Sequence, residues 1–547
     1  MSCLRSIWTG WLSVVLVVLG ALGLSAQQKP AVVISLASVQ EQMADVRYVT
    51  QAAGAPQVAG LVEFMSAQYT QVLDPQKPGG AAVWLGNDGT PTVLGFLPVK
   101  DMNLLKNIVS QQLGPVQDRG NGVLEIPGPM PLFVKSVGAY AYISNAAENL
   151  TDLPQDPAVY LKDTDPAANI GVLINVQAVP QPLKDMALQN LEQIYALLAE
   201  QAETEAERQF QQSMSKMVVD QYRQIFKEGD QIRFGLNIDA QAKQVSLDFQ
   251  FTALPGTALA EQMTGLREQS DFRGFYQPNA AAAGVFSQTL SQSSLAQLQQ
   301  ILDSVKKTIE NALAEDEDLS EEERQTAEKL LNQLHRIVET TCASGSIDGG
   351  FLLTLDGESP RLVVGGHVAD GNEVKKLFDD VTKVITEEEE VPDLKIEQNA
   401  ASVGGVSFTR YTLPTPDEDL AAVVGETLEF GTGVGPTTCV ITFGKGSVEL
   451  AKQVLESSAA GSEITTPVNQ CYMVTGPVLE FIAKLADLDD NPAMQAARAA
   501  VARANGKDRI VYALKSVPNG VHARIALEEG VIGAIGAAIT AFTSEEQ

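Results

Sequence analysis

The residues able to do chemistry are scattered along the chain. His335, His367 and His522 are its three imidazoles, and no two of them share a metal-ligand spacing. His335 falls in a helical pattern and His522 on the polar side of an alternating strand, where a surface role is the ordinary one. The sequence holds no H-E-x-x-H, no C-x-x-C, no P-loop and no G-x-S-x-G elbow. Gly431-Thr-Gly433-Val-Gly435 imitates a phosphate cradle, but no helix starts behind it, so turn-making is expected there. Asp487, Asp489 and Asp490 imitate a calcium loop. The loop glycine is missing, however, and Arg498 stands where a bidentate glutamate belongs.

Paired carboxylates for acid–base work need convergence, which a sequence does not display. The visible acidic runs are Glu315–Asp318, Glu321–Glu323, Glu387–Glu390 and Asp417–Asp419. They lie between or at the ends of predicted elements, where solvated charge is normal. Of the four cysteines, Cys439 and Cys471 each stand near the start of a strand that precedes a helix. They are a candidate disulfide if those strands are neighbours, whereas the remaining thiols form no framework. No catalytic, cofactor-binding or metal-ligating residue is assigned, and no cofactor is expected.

Charge narrows the partners. Lys and Arg total 38 against 68 Asp and Glu, a net charge of -30. Such a surface repels phosphate backbones and anionic headgroups, so nucleic acid is not expected as a partner. With 45% hydrophobic and 19% charged residues over 547 positions, the chain has material for more than one core.

The elements that must position these residues begin after the N-terminus. Arg5 and the apolar run Trp11–Leu24, followed by Ser25-Ala26, have the form of a secretory signal. Residues 1–26 are therefore expected to be a signal peptide, and the mature chain to be periplasmic or extracellular. No later segment reaches membrane-spanning length, so no span is expected in the mature chain.

One pattern then occurs twice. Pro91 precedes the strand Thr92–Val99, Asp101 caps a helix, and Leu105, Ile108 and Val109 form its face. Pro360 precedes the strand Arg361–Val368, Asp370 is the cap, and Val374, Leu377 and Phe378 repeat the face. Proline to cap is ten residues in both, and the apolar positions fall 4, 7 and 8 residues past the cap in both. Each hairpin is preceded by an apolar strand and a helical pair; in the second copy Ser320-x-x-Glu323 is a capping box. Each copy ends in a hairpin whose outer strand alternates. Val245, Leu247, Phe249 and Phe251 are expected to face the core, and Gln244, Ser246, Asp248 and Gln250 to face water. The same is expected of Val521, Ala523, Ile525 and Leu527.

These patterns predict an α+β fold, a tandem duplication of an antiparallel-rich sheet with helices, including an αα-hairpin, packed on one face. The copies are bounded at residues 31–269 and 275–547. Phe272, Phe275 and Tyr276 in the short junction suit two halves packed on each other. Leu191, Ile194, Tyr195 and Leu198 read as a buried helical stripe, and Val531, Ile535 and Ile539 as packing against the second sheet.

Asp74-Pro-x-Lys-Pro-Gly-Gly80, Gly95-Phe-Leu-Pro-Val-Lys-Asp101, Ala139-Tyr-Ala-Tyr-Ile-Ser144 and Ser246-Leu-Asp-Phe249 resemble stretches of a group of secreted proteins of planctomycete-type bacteria. The resemblance spans most of the mature chain. It implies export and supplies no catalytic residue.

Three functions follow as expectations. The first is an exported non-enzymatic binding or scaffold protein. The second is a carrier holding a lipid or another apolar molecule between sheet and helices, and the third a carboxylate-dependent hydrolase.

Overall fold

The computed structural model describes residues 29–545, apart from 129, 166, 203–204, 317–318, 356–358, 388–392, 417–420, 422 and 461–467. The expected signal peptide, the acidic run 417–419 and residues 317–318 and 388–390 of two other acidic runs lie outside the described residues.

The chain separates into two compact units, one of residues up to 190 with 223–254, the other of 191–222 with 255 onward. Each is an antiparallel sheet with helices. In the first, the described residues form ten strands along the chain: β1 (Val32–Leu36), β2 (Gly79–Leu85), β3 (Pro91–Pro98), β4 (Gln117–Asp118), β5 (Val123–Ile126), β6 (Leu132–Val137), β7 (Tyr140–Ser144), β8 (Ile170–Asn175), β9 (Gly229–Asp239) and β10 (Gln244–Ala253). Their order across the sheet is β4-β5-β6-β7-β3-β2-β1-β8-β9-β10.

The second unit supplies β11 (Ala282–Thr289), β12 (Ser346–Thr354), β13 (Arg361–His367), β14 (Lys395–Val403), β15 (Val406–Pro414), β16 (Thr427–Val434), β17 (Thr438–Phe443), β18 (Gln470–Val474), β19 (Arg509–Val517) and β20 (Gly520–Glu528). Their order is β14-β15-β16-β17-β13-β12-β11-β18-β19-β20. This is the first order with every label raised by ten. The fold is a tandem α+β duplication, and the hairpin proline and cap spacing pointed to equivalent strands.

The helix starts follow from local chemistry. Ser38 and Glu41 form a capping box, as do Ser320 and Glu323. Asp101 Oδ1 accepts the Leu104 N–H at 2.9 Å, and Asp370 Oδ1 the Asn372 N–H at 2.8 Å. An αα-hairpin follows the first strand of each unit: Val39–Ala52 with Pro56–Thr70, and Gln292–Glu315 with Glu321–Ala343.

Three sequence expectations change. Phe272 and Phe275 enter the second unit's own core, beside Phe408, Val440, Val448 and Val454. Gly274 donates its N–H to Ser458 Oγ at 2.9 Å, and Ser270 Oγ–H donates to Asp348 Oδ1 at 2.5 Å, so the junction aromatics belong to the core of one unit and not, as expected, to the packing of two halves. Ile194 and Leu198 of the helix Gln181–Glu200 are about half exposed rather than buried. In the last helix, Glu529–Glu545, Val531, Ile532 and Ala534 are buried, whereas Ile535 and Ile539 are exposed. The buried side meets Ala497 and Val501 of the helix Pro492–Arg503. A Cβ on Gly530 would lie 2.9 Å from Ala504 Cβ, so small residues bring the two segments together.

Candidate functional site

The residues singled out for chemistry are not brought together. His335 stands on the helix Glu321–Ala343, where its Nε2 lies 3.2 Å from Asp303 Oδ1. His367 ends β13 and His522 lies on β20, with four strands between those two. Asp489 pairs with Arg498 at 2.8 Å, and the same guanidinium takes Glu480 at 2.9 Å. Among the described residues, no three His, Cys, Asp or Glu side chains are grouped to hold a metal ion.

Gly431 and Gly433 lie inside β16, not in a turn. A Cβ on Gly431 would come within 2.4 Å of Thr442 Oγ1 and 2.6 Å of Val448 Cγ2, and one on Gly433 within 2.4 Å of the Phe408 ring. These glycines let a helix and an aromatic ring reach the sheet; they shape the core.

The convergent carboxylates surround Arg410 on β15. Its guanidinium is 2.9 Å from Glu397 on β14 and 3.5 Å from Glu429 on β16, and it also pairs with Glu449 on the helix Ser447–Ala459. Burial pushes the Glu429 carboxyl above its ordinary range, while Arg410 and the Gly446 N–H, 3.1 Å away, pull it back. The arrangement clamps three strands to one helix, with a cation where acid–base chemistry would need a substrate.

Cys439 and Cys471 do not meet. They stand on β17 and β18, with β13, β12 and β11 between them. Four strand steps amount to about 19 Å, well beyond the roughly 7 Å between Cα atoms that a disulfide allows. Both are free thiols, and burial pushes that of Cys439 up to about 11.

The feature that stands out is a sheet face. Directly opposed residues on neighbouring strands share a face, so the registers divide the second sheet in two. One face carries Phe408, Val440, Val363, Leu352, Val285 and Tyr472, all buried under the helix Ser447–Ala459 and the Phe272–Phe275 segment. The other carries Phe286, Ile347, Val364, Phe430, Ile441 and Ile525, which are 36% to 51% exposed. Ile441, Val364, Phe351, Gly284, Cys471, Tyr512 and Ile525 form one unbroken cross-strand row on that face. Phe286 stacks on Phe351 with centroids 6.5 Å apart. The helix Gly371–Glu387 reaches this face near one edge, where Thr382 Oγ1 and Tyr411 Oη are 3.0 Å apart.

The first sheet repeats the feature on β9 and β10, where the expected sides are exchanged over Ser246–Phe249, whereas Phe251 is buried as expected. Ser246 and Asp248 are buried, whereas Phe234, Leu247 and Phe249 are 46%, 57% and 36% exposed. Asp248 Oδ2 accepts from Asn237 Nδ2 at 2.6 Å and from Ser246 Oγ at 3.3 Å, which offsets the cost of enclosing a carboxylate. Phe234 and Phe249 are direct cross-strand partners with centroids 5.3 Å apart. Alternation announced two faces of opposite polarity but carried no sign of which one faces outward.

Comparison with family models, curated proteins and solved structures finds no match to this chain. Among the described residues, no helix is long and apolar enough to cross a membrane.

Proposed function

We propose that this chain is an exported, non-enzymatic binding protein that takes a lipid or another apolar molecule against the open faces of its sheets. The observation that carries this reading is the cross-strand cluster Phe286, Ile347, Val364, Phe430 and Ile441, left a third to a half exposed on five adjacent strands, with Ile525 farther along the same face. Single exposed apolar side chains are ordinary, but a contiguous set of large ones is a binding feature. Covering about 300 Å² of it is worth about 7 kcal/mol before the cost of association, enough for a useful affinity. The reading also agrees with the ion-paired carboxylates around Arg410. Export is part of the proposal and rests on the apolar run Trp11–Leu24.

Titration with cis-parinaric acid, followed by its fluorescence, tests the reading. Saturable enhancement should occur with the parent and weaken about tenfold or more in Val364→Asp/Ile441→Asp, since charges on an apolar site oppose an apolar ligand. Absence of saturable enhancement with the parent, or equal affinity in the variant, overturns it.

A further inference from the structure

The helices Glu205–Glu228 and Gln292–Glu315 enclose a cleft of about 470 Å³. All of its lining residues belong to the second unit. Four charged side chains line it: Lys216 and Asp220 from one helix, Asp303 and Lys307 from the other. Within each helix the opposite charges are four residues apart, the spacing at which they would ordinarily pair. They do not. Asp303 is taken by His335 Nε2 at 3.2 Å, from a third helix, and Asp220 has another partner of its own. No ion pair among the described residues engages Lys216 or Lys307, while the adjacent Lys306 is 3.6 Å from Glu310.

Two ammonium groups without an ion pair among the described residues thus line one cleft, together with the carboxylates of Asp220 and Asp303. The hydroxyls of Ser213 and Ser304 add donors on the two walls, and Met214, Met217 and Ile301 supply an apolar side. The volume lies in the range of small-molecule sites and exceeds what a bare ion fills. We propose that this cleft binds a small organic oxyanion, a phosphate or carboxylate held between the Lys216 and Lys307 ammonium groups. Charge-assisted hydrogen bonds from two lysines orient the anionic group, and the methionine side receives the rest of the molecule. The site is independent of the apolar sheet faces: its ligand is recognised by charge, theirs by apolar area.

Isothermal titration of the full chain with inorganic phosphate, glycerol 3-phosphate and lactate tests the proposal. Saturable binding of at least one probe is expected, and Lys216→Gln/Lys307→Gln should weaken it about tenfold or more. Lys306→Gln, which alters an equal charge outside the cleft, should leave it unchanged. Preference for the phosphates or for lactate tells which oxyanion the cleft selects, and either supports the site. The single variants Lys216→Gln and Lys307→Gln serve as the readout if the double variant does not fold. Failure of all three probes to saturate, or affinity that is unchanged in the cleft variants or equally reduced in Lys306→Gln, overturns the proposal.

Discussion

The ring of Phe275 fills the space above Gly365: a Cβ on that glycine would lie 2.6 Å from Phe275 Cζ. Cross-strand register makes Gly350 and Gly365 in the second unit the equivalents of Gly80 and Phe96 in the first. The first unit thus fills the position with a side chain from its own strand, and a Cβ on Gly80 would meet the Phe96 ring at 3.0 Å. The second leaves the strand bare and brings in an aromatic ring from the segment preceding β11. Phe275→Ala should therefore cost about 3–5 kcal/mol, read as a lower urea midpoint. Phe275→Ala/Gly365→Phe, which rebuilds the first unit's arrangement, should recover part of that loss. No recovery would mean the two positions are not interchangeable.

Asp45 makes stability depend on pH in a definite direction. Its Oδ2 accepts from Asn169 Nδ2 at 2.6 Å, and Asn169 Oδ1 accepts the Ile238 N–H at 2.6 Å, joining the helix Val39–Ala52 to the sheet. Burial, then the Glu41 charge, pushes the Asp45 carboxyl from 3.8 to about 6. The folded state therefore holds the proton more tightly than the unfolded chain. The charged form costs the fold up to about 3 kcal/mol at neutral pH, and this cost is relieved as pH falls through about 6 toward 4. Comparing urea midpoints of the parent and Asp45→Asn isolates this group: the parent should gain on the variant as pH falls from 7 to 4.5. A constant difference across that range would show that Asp45 does not titrate there.

The last helix buries a side set by its neighbour. Val531→Asp should destabilise the second unit by about 3 kcal/mol or more, because the charge enters a packed helix pair without a partner. Ile535→Asp, on the exposed side, should stay within about 0.5 kcal/mol of the parent. Thermal or urea unfolding separates the two; equal losses would contradict the packing against Ala497 and Val501.

Thiol content tests the strand order. A chain beginning at Gln27 contains Cys342, Cys439 and Cys471. Titrated after denaturation without reductant, it should show three reactive thiols. One thiol would require two cysteines to be bonded, against the three strands separating Cys439 from Cys471.

Several features were legible in the sequence because they depend on residues within one or two turns of each other. The Ser320 cap, the Asp101 and Asp370 starts, and the equal spacing after Pro91 and Pro360 are local, and each forms as the residue types require. Their repetition was enough to identify two copies of one α+β pattern. The same local reasoning placed Leu247 and Phe249 on one side of a strand and Ser246 and Asp248 on the other.

Which side faces the core was decided only by tertiary structure, because a period of two is the same whichever face is covered. The sign came from Asn237, on a neighbouring strand, which gave Asp248 a hydrogen bond and made the polar side tolerable inside. The separation of Cys439 from Cys471, the burial of Phe275 over Gly365 and the presence of Lys216 and Lys307 in the lining of one cleft have the same origin. Each joins residues far apart in the chain, and their proximity depends on strand order and helix placement, for which no local pattern carries a signal.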